Sequence, residues 1–491
     1  MRQWMVAAKK ADFYAIAEKF HVDPVVARII RNREVIGEKN IRIYLGGNLS
    51  DLSDPHQMKD MDRLVEILAQ KIRKQVHIRI IGDYDVDGVT SSHLFLTALR
   101  RVGAKVDVVI PHRIQDGYGL SLHLLQQAKE DGVDTILTCD NGIAAIDEIA
   151  WAKAQKMTVL VTDHHAVPFE EHEGRRTEKK SLADAVVNPH QQDCGYPYKE
   201  LCGAGVAWNV IRVLYENYDM DKREAEDLLD FVAMATVCDV MSLTGENRIL
   251  VKEGLKRIRH TKNIGLQALM QACNVQPENI SAYHFGYVLG PCVNATGRLD
   301  TARHALRLFE TGQETEAEEI ARDLVDLNQE RKELTLQGVE MAKKLCEEGG
   351  YENDPVLVLF LPDVHESIAG LIAGRIREMY NRPVFVLTRG EEGVKGSGRS
   401  TENYSMYENM CGCVELFTKF GGHPMAAGLS LPEENVEKFR RKINENCPLT
   451  VEEVCPDIHI DMAMPVGYAS TELVHQFALL EPFGKDNPSP L

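Results

Sequence analysis

The sequence predicts an α/β chain of two lobes, a larger one on a parallel sheet and a smaller α/β one joined to it by a long helix. Three observations carry this reading. Short apolar runs alternate with helical periods between residues 77 and 189, the pattern of βαβ units. Residues 312–349 are polar, charged, helically periodic and free of proline, as a solvated connecting helix requires. Strand-like runs then return at 355–361 and 383–389, around a helical stretch at 367–380.

Taken in order, MRQWMVAAKKADFYAIAEKF at the start reads as an amphipathic helix, followed by a turn at Gly46-Gly47 and a second helical stretch at 58–74. Strands are predicted within 77–82, 105–111, 134–139, 157–163 and 183–189, with helices at 91–101, 120–130 and 144–155 between them. Residues 203–276 read as largely helical. The second lobe closes near Cys447-Pro448, and 449–491 is too short to be an independent domain. The organisation expected is a helical lead-in over 1–75, a first α/β domain over 76–311, a connecting helix over 312–348, a second domain over 349–448 and a terminal segment over 449–491.

Composition narrows the function classes. A chain of 491 residues with 44% hydrophobic and 26% charged residues forms several packed domains and is neither disordered nor fibrous. Lys and Arg number 56 against 74 Asp and Glu, a net charge of −18, which excludes a generally cationic nucleic-acid coat or a polybasic membrane binder. A nucleic-acid substrate would need a local basic patch or bound cations. Eleven cysteines, an odd number in no framework spacing, suit a reducing compartment, and nowhere do about 18 uncharged apolar residues run together. A cytoplasmic protein with no membrane association is expected.

The chemistry begins at Gly82-Asp83-Tyr84-Asp85-Val86-Asp87-Gly88, three acids at alternate positions directly after a strand. A calcium-binding EF-hand loop has a similar texture, but it needs Glu at position 12 and a preceding helix. Counted from Asp83, position 12 is Leu94, and the preceding segment is a strand. Two further strands end in Asp140-Asn141-Gly142 and Asp163-His164-His165. Alone, an Asp after a strand commonly caps a helix and a His pair is commonly a surface feature. Three such ends on neighbouring parallel strands share one rim, where crowded carboxylates repel unless cations lie between them. Carboxylate and imidazole ligands without thiolate favour Mn²⁺ or Mg²⁺ over Zn²⁺, and more than four candidates point to two ions. A pair of divalent ions suits hydrolysis of a phosphoester or phosphoanhydride, without choosing the substrate.

These residues resemble the DHH phosphoesterase superfamily, and the likeness runs through most of the chain. Lys59-Asp60-Met61-Asp62, Gly203-Ala204-Gly205-Val206-Ala207, the stretch from Phe231 to Val240, Gly290 to Arg298, and Leu327 to Lys332 all resemble the RecJ-type single-stranded-DNA exonucleases. Gly421-Gly422-His423-Pro424-Met425-Ala426-Ala427-Gly428 is similar to the signature of their DHHA1 domain. The resemblance therefore makes the larger lobe a DHH domain and the smaller a DHHA1 domain. It implies metal ligands at Asp85, Asp87, Asp140, His164, His165 and Asp239, with Asp83 adjoining. The His found four residues before the first ligand Asp in related enzymes is Ile81 here, and Asp239, which follows a helical pattern, is implied by the resemblance alone.

For substrate phosphates the resemblance implies Asn294, Arg298, Ser397, Arg399, Ser400, Gly421, Gly422 and His423, residue types that offer donors and close backbone approach. In the stretch from Asp363 to Gly370, Val364 stands where the family usually has Trp, and Ser367-Ile368 where it has Gly-Val; these departures bear on substrate positioning. Arg303, Arg307, Arg375 and Arg377 are candidate strand-binding residues and equally ordinary solvated helix residues. Glu481 to Pro488 resembles part of an oligonucleotide-binding (OB) fold, here cut short.

The activity implied is 5′-to-3′ hydrolysis of single-stranded DNA to mononucleotides in DNA repair and recombination, using two Mn²⁺ or Mg²⁺ ions. A monomer working with a single-strand-binding protein and a helicase is implied as well. Two alternatives stand beside it: a DHH phosphodiesterase for short oligonucleotides or cyclic dinucleotides, and a non-catalytic DNA-binding replication protein. An inorganic pyrophosphatase is a more distant one. The retained acidic and His positions weigh against the non-catalytic reading.

Overall fold

Apolar runs that show no alternation belong in a parallel sheet covered on both faces, and the first half of the chain builds one. The computed structural model describes residues 3–113, 116–117, 119–172, 175–351, 354–390, 393–449 and 457–491. After a short strand β1 (Gln3–Val6), the strands are β2 (Ile78–Ile81), β3 (Val106–Val109), β4 (Thr135–Cys139), β5 (Thr158–Thr162), a β6–β7 hairpin (Phe169–His172, Arg175–Glu178) and β8 (Ala185–Val187). The main sheet has the order β3-β2-β4-β5-β8, and every neighbouring pair in it is parallel. Ile80, Leu137 and Leu160 enter one core with the helices Met61–Arg73, Val86–Arg101 and Gly203–Asn217, whereas Ile81, Ile136, Val159 and Val161 enter a second core with Leu122–Glu130 and Ile146–Ala154.

The chain leaves β2 toward β3 on one side and then returns to lay β4 on the other. Between β2 and β4 lies the point where strand order reverses, the place where open α/β sheets bind ligands beyond their carboxyl ends. Register keeps the strand ends level: Ile81 pairs with Thr138, and Thr138 with Val161. The three acid-bearing motifs therefore follow strands that finish on one rim.

Contacts divide the chain into two compact units, Ala8–Leu327 with Ala463–Leu491, and Asn328–Met462 with the first residues. The helix Glu314–Glu348 runs from the first into the second. In the second unit β9 (Leu357–Phe360), β10 (Val384–Gly390), β11 (Gly393–Arg399), β12 (Lys419–His423) and β13 (Ala426–Leu431) have the order β12-β13-β11-β10-β9. Only β9 and β10 are parallel in this sheet. The helix Ala369–Tyr380 buries Ile372 and Ile376 in a core shared with Leu357 and Val386, and Val436–Glu445 brings Phe439 against Phe385 in a second core.

The start of the chain departs from the predicted amphipathic helix. Trp4, Met5 and Val6 lie in β1, parallel to β14 (Asp457–Ile460), and the helix begins only at Phe13, where the Asp12 side chain accepts from the Ala15 N–H at 2.9 Å. Residues 396–399 and most of 421–428 are strand: β11, β12 and β13 are antiparallel, and their glycines hid the alternation from the sequence. Of the terminal segment, 450–456 lies outside the described residues. The rest supplies β14 and the helix Thr471–Phe477, and Tyr44 Oη donates to Asn487 Oδ1 at 2.7 Å. No helix among the described residues is long and apolar enough to cross a membrane.

Candidate metal centre

Asp85 caps the helix Val86–Arg101, accepting from the Gly88 N–H at 3.1 Å, so the first motif turns straight from strand into helix. Gly88 is required there, since a Cβ would run into the backbone of Asp83. Two residues on, Asp87 is 1% exposed and is clamped by the start of another helix: Gly203 N–H and Ala204 N–H donate to its two oxygens at 2.5 and 2.8 Å. Asp83 is fully buried, takes a long 3.4 Å bond from Gly119 N–H on one oxygen, and leaves the other without a hydrogen-bond partner.

Asp140 follows β4 with φ of 61°, a left-handed conformation that Asp tolerates better than most residues. His164 Nε2 stands 3.0 Å from Asp140 Oδ1, 3.5 Å from Asp239 Oδ2 and 3.6 Å from Asp87 Oδ2, yet hydrogen-bonds to none of them. Asp239 terminates the helix Leu229–Cys238. Three overlapping groups of ligand atoms each lie within 4.8 Å: Asp140, His164 and His165; Asp87, His164 and Asp239; Asp83, Asp85 and Asp140. All seven residues expected from the sequence as ligands occur in these groups.

The electrostatics follow from burial. Desolvation first, and neighbouring carboxylates second, push the acids of Asp83, Asp140 and Asp239 well above the usual range and that of Asp85 upward. Burial lowers His164, keeping its ring neutral and able to donate a lone pair. His165 is also opposed by burial, but the hydrogen bond and charge of Asp163 carry it up to about 9. So many carboxylates cannot all ionise in a dry pocket without counter-charge. The unpartnered Asp83 oxygen, the unpartnered His164 Nε2 and the all oxygen-and-imidazole donor set fit divalent cations of the Mn²⁺ or Mg²⁺ kind.

Asp163 was missed as a functional residue. Its Oδ1 accepts from the N–H groups of His164 (2.7 Å) and His165 (3.0 Å) and lies 2.8 Å from His165 Nδ1, while its Oδ2 accepts from Ile143 N–H at 2.8 Å. Burial would raise its acid, but the His165 pairing prevails and holds it low. Ligating imidazoles typically have a carboxylate on the far nitrogen, so the Asp that opens the Asp-His-His triplet was the available signal. Asn141 was missed too; its amide donates to the carbonyls of Ile81 and Cys139 at 3.0 and 2.9 Å, tying β2 to β4.

Among residues expected to meet substrate, Asn294 and Arg298 share the helix Gly290–Leu299, and Asn294 Oδ1 accepts from Val86 N–H at 3.2 Å beside the first motif. In the second unit Ser397 and Arg399 lie on β11, and Ser400 is buried with its hydroxyl donating to Tyr404 O at 2.5 Å. Gly421, Gly422 and His423 lie on β12; Arg399 and His423 both pair in register with Ala426. Arg307 is engaged by Glu316 at 2.7 Å, and Arg375 and Arg377 approach Glu378 at 3.3 and 3.6 Å, which favours the solvated-helix reading of these three. The Arg303 N–H donates to the Thr301 hydroxyl at the start of its helix, and nothing in that bond indicates strand binding.

Fold and site together define a DHH-type protein with a carboxylate–imidazole metal centre. Residues 77–236 match the DHH family, N-terminal domain, and 353–447 match the DHHA1 domain. The single-stranded-DNA-specific exonuclease RecJ of Bacillus subtilis is 33% identical over 97% of this chain, which spans 59% of that relative's length. The RecJ of Haemophilus influenzae is 36% identical over 86% of this chain and 74% of its own. Crystal structures of Thermus thermophilus RecJ in complex with Mn²⁺ and with Mg²⁺ superpose with TM-scores of 0.84 and 0.79, at 28% and 27% identity, over 100% of this chain and 69% and 67% of theirs. The chain belongs to the RecJ family.

Proposed function

We propose that this chain is a metal-dependent exonuclease that hydrolyses single-stranded DNA from its 5′ end to mononucleotides, in DNA repair and recombination. The observation that carries the reading is the convergence of Asp83, Asp85, Asp87, Asp140, His164, His165 and Asp239 at one sheet rim, in a chain whose RecJ relatives are named single-stranded-DNA-specific exonucleases. These seven side chains are the ligand set. Two divalent cations held by them supply charge to polarise a phosphoryl oxygen and to activate water.

The protein's own part is positioning. Helix N-terminal donors fix Asp87, and Asp163 orients His165 and the turn carrying both imidazoles. Asn294 and Arg298, with Ser397, Arg399, Ser400, Gly421, Gly422 and His423, bind substrate phosphates. Arg399 and His423 offset phosphate charge as it builds up. The DHH catalytic domain spans 76–311 and the DHHA1 domain 349–448, joined by the helix at 312–348, with a helical lead-in over 1–75 and part of an OB-like segment over 449–491. A cytoplasmic monomer working beside a single-strand-binding protein and a helicase completes the reading.

The test is hydrolysis of 5′-labelled and 3′-labelled single strands with Mn²⁺, against a duplex control and the Asp140→Ala variant. Mononucleotides released from the 5′ end of single strands only, with turnover reduced by orders of magnitude in a folded Asp140→Ala protein, are expected. Turnover of a dinucleotide without cleavage of longer DNA would make the chain a small-substrate phosphodiesterase instead.

A further inference from the structure

A groove of about 780 Å³ opens in the first unit beside the metal centre, lined by Cys238 and Val240 on either side of Asp239. Its charge is opposite to that of the chain as a whole. Four basic side chains, Lys252, Lys256, Arg259 and Lys485, face one acidic residue, Glu481, among its described lining residues, whereas the chain carries −18. Lys256 is engaged by Glu253 at 2.6 Å, and Lys252 donates to Leu45 O at 3.0 Å. Arg259 and Lys485 are exposed, and no ion pair among the described residues involves either. The charge of Lys485 reaches Asp239 itself.

On the groove wall two tyrosines stand in the open. Tyr283 is 62% and Tyr287 72% exposed, and their rings stack with centroids 5.1 Å apart and planes 25° from parallel. Structural need does not account for this pair, because a tyrosine stabilises a fold by burying its ring. The backbone is unusual here too: Phe285–Leu289 is a short π-helix, a feature frequent at functional sites.

Exposed stacked rings flanked by unpaired cations are what a flexible polyanion of flat bases requires. We propose that this groove is a binding subsite for single-stranded nucleic acid, with Tyr283 and Tyr287 as a base-stacking platform and Arg259 and Lys485 contacting phosphates, guiding the strand to or from the centre at Asp239. The proposal rests on the exonuclease reading. A folded polypeptide would answer the apolar part of the wall but not the two unpaired cations, and a duplex would hide its base faces from the rings.

The test compares the Mn²⁺-loaded protein with Tyr283→Ala/Tyr287→Ala, Tyr283→Phe/Tyr287→Phe and Arg259→Ala/Lys485→Ala double variants. Affinity is read by anisotropy with a hydrolysis-resistant phosphorothioate 20-mer, and turnover with an ordinary 20-mer and a dinucleotide. The Ala pair is expected to weaken 20-mer binding by about tenfold. The Phe pair, which keeps the rings, should stay within about twofold of the parent. Removing the two cations should flatten the dependence of log affinity on log salt by about 1.4, at roughly 0.7 for each phosphate contact on a single strand. Dinucleotide turnover should fall less than 20-mer turnover in both Ala variants. Unchanged 20-mer affinity in both, or equal losses in the Phe and Ala tyrosine pairs, overturns the subsite while leaving the exonuclease reading standing if the parent cuts DNA. A parent that neither binds nor cuts single strands overturns both.

Discussion

At the residue scale the candidate centre also depends on side chains outside the proposed ligand set. Asp163 spends one oxygen on the imidazole and backbone of the His-His turn and the other on Ile143 N–H. Asp163→Asn should cost between about 10- and 100-fold in Mn²⁺ affinity or turnover, the usual range for an orienting partner of a ligand. Titrating Mn²⁺ by calorimetry and repeating the activity assay at saturating metal would separate the two. His93 raises a different question, that of stability. It is buried on the helix Val86–Arg101, 4.4 Å from the ring of Phe231, and its Nδ1 has no hydrogen-bond partner. Burial first, and the charge of Arg100 second, lower it to about 3. Above the unfolded value near 6.5 both states are neutral at this site and its contribution is constant. Below that, the unfolded chain takes up a proton that the folded one refuses, so stability falls as pH drops from about 6.5 toward 3. His93→Leu should remove that component, and urea midpoints at pH 7.5 and 5.5 should converge in the variant relative to the parent.

At the scale of elements, the site is where strand ends and helix starts are forced together. Gly203 opens the helix that clamps Asp87, and a Cβ there would lie 2.7 Å from Asp140 Cβ and 2.9 Å from its Oδ1. Gly203→Ala should therefore displace a ligand carboxylate as well as cost about 1–3 kcal/mol of overpacking. The check is paired: a fall in melting temperature, and a weaker Mn²⁺ midpoint at a temperature where the variant is fully folded. Predicted strands in the first half formed because parallel, doubly covered strands read as plain apolar runs. The strands of the second unit were hidden for the opposite reason. Gly396 and Gly398 pair in β11 with Leu387 and Phe385 of β10, so the small residues that make room for large neighbours remove the very side chains by which a strand is recognised.

Across the whole molecule, two bodies with their own cores share one chain. The first unit carries every candidate metal ligand, and the second carries none of them. Scanning calorimetry should therefore show a transition that Mn²⁺ raises and EDTA lowers, and another that neither moves, because a ligand stabilises only the body that binds it. One transition shifting as a whole with Mn²⁺ would contradict that independence. The last residues belong to the first unit despite following the second in sequence. Arg248, 1% exposed, stacks its guanidinium 3.8 Å over the Tyr44 ring and donates to the carbonyls of Leu480 and Leu479 at 3.0 and 2.9 Å. Its charge is met by backbone carbonyl dipoles, and burial lowers its pKa from the usual value.

The sequence by itself determined the βαβ order, the long connecting helix and the acid-bearing strand ends, because strand periodicity and strand-to-helix turns are local properties of the chain. Family resemblance added Asp239, whose helical surroundings carry no sign of its role. Only the tertiary structure decided that the seven residues meet, through the register that levels β2, β4 and β5 and the packing that brings the helix ending at Cys238 to the same rim. The same holds for Asp163, whose importance lies in the four hydrogen-bonding groups it meets, and for the stacked tyrosines beside Asp239. A sequence records which groups are available; whether they converge depends on backbone paths separated by scores of residues, which only the folded packing fixes.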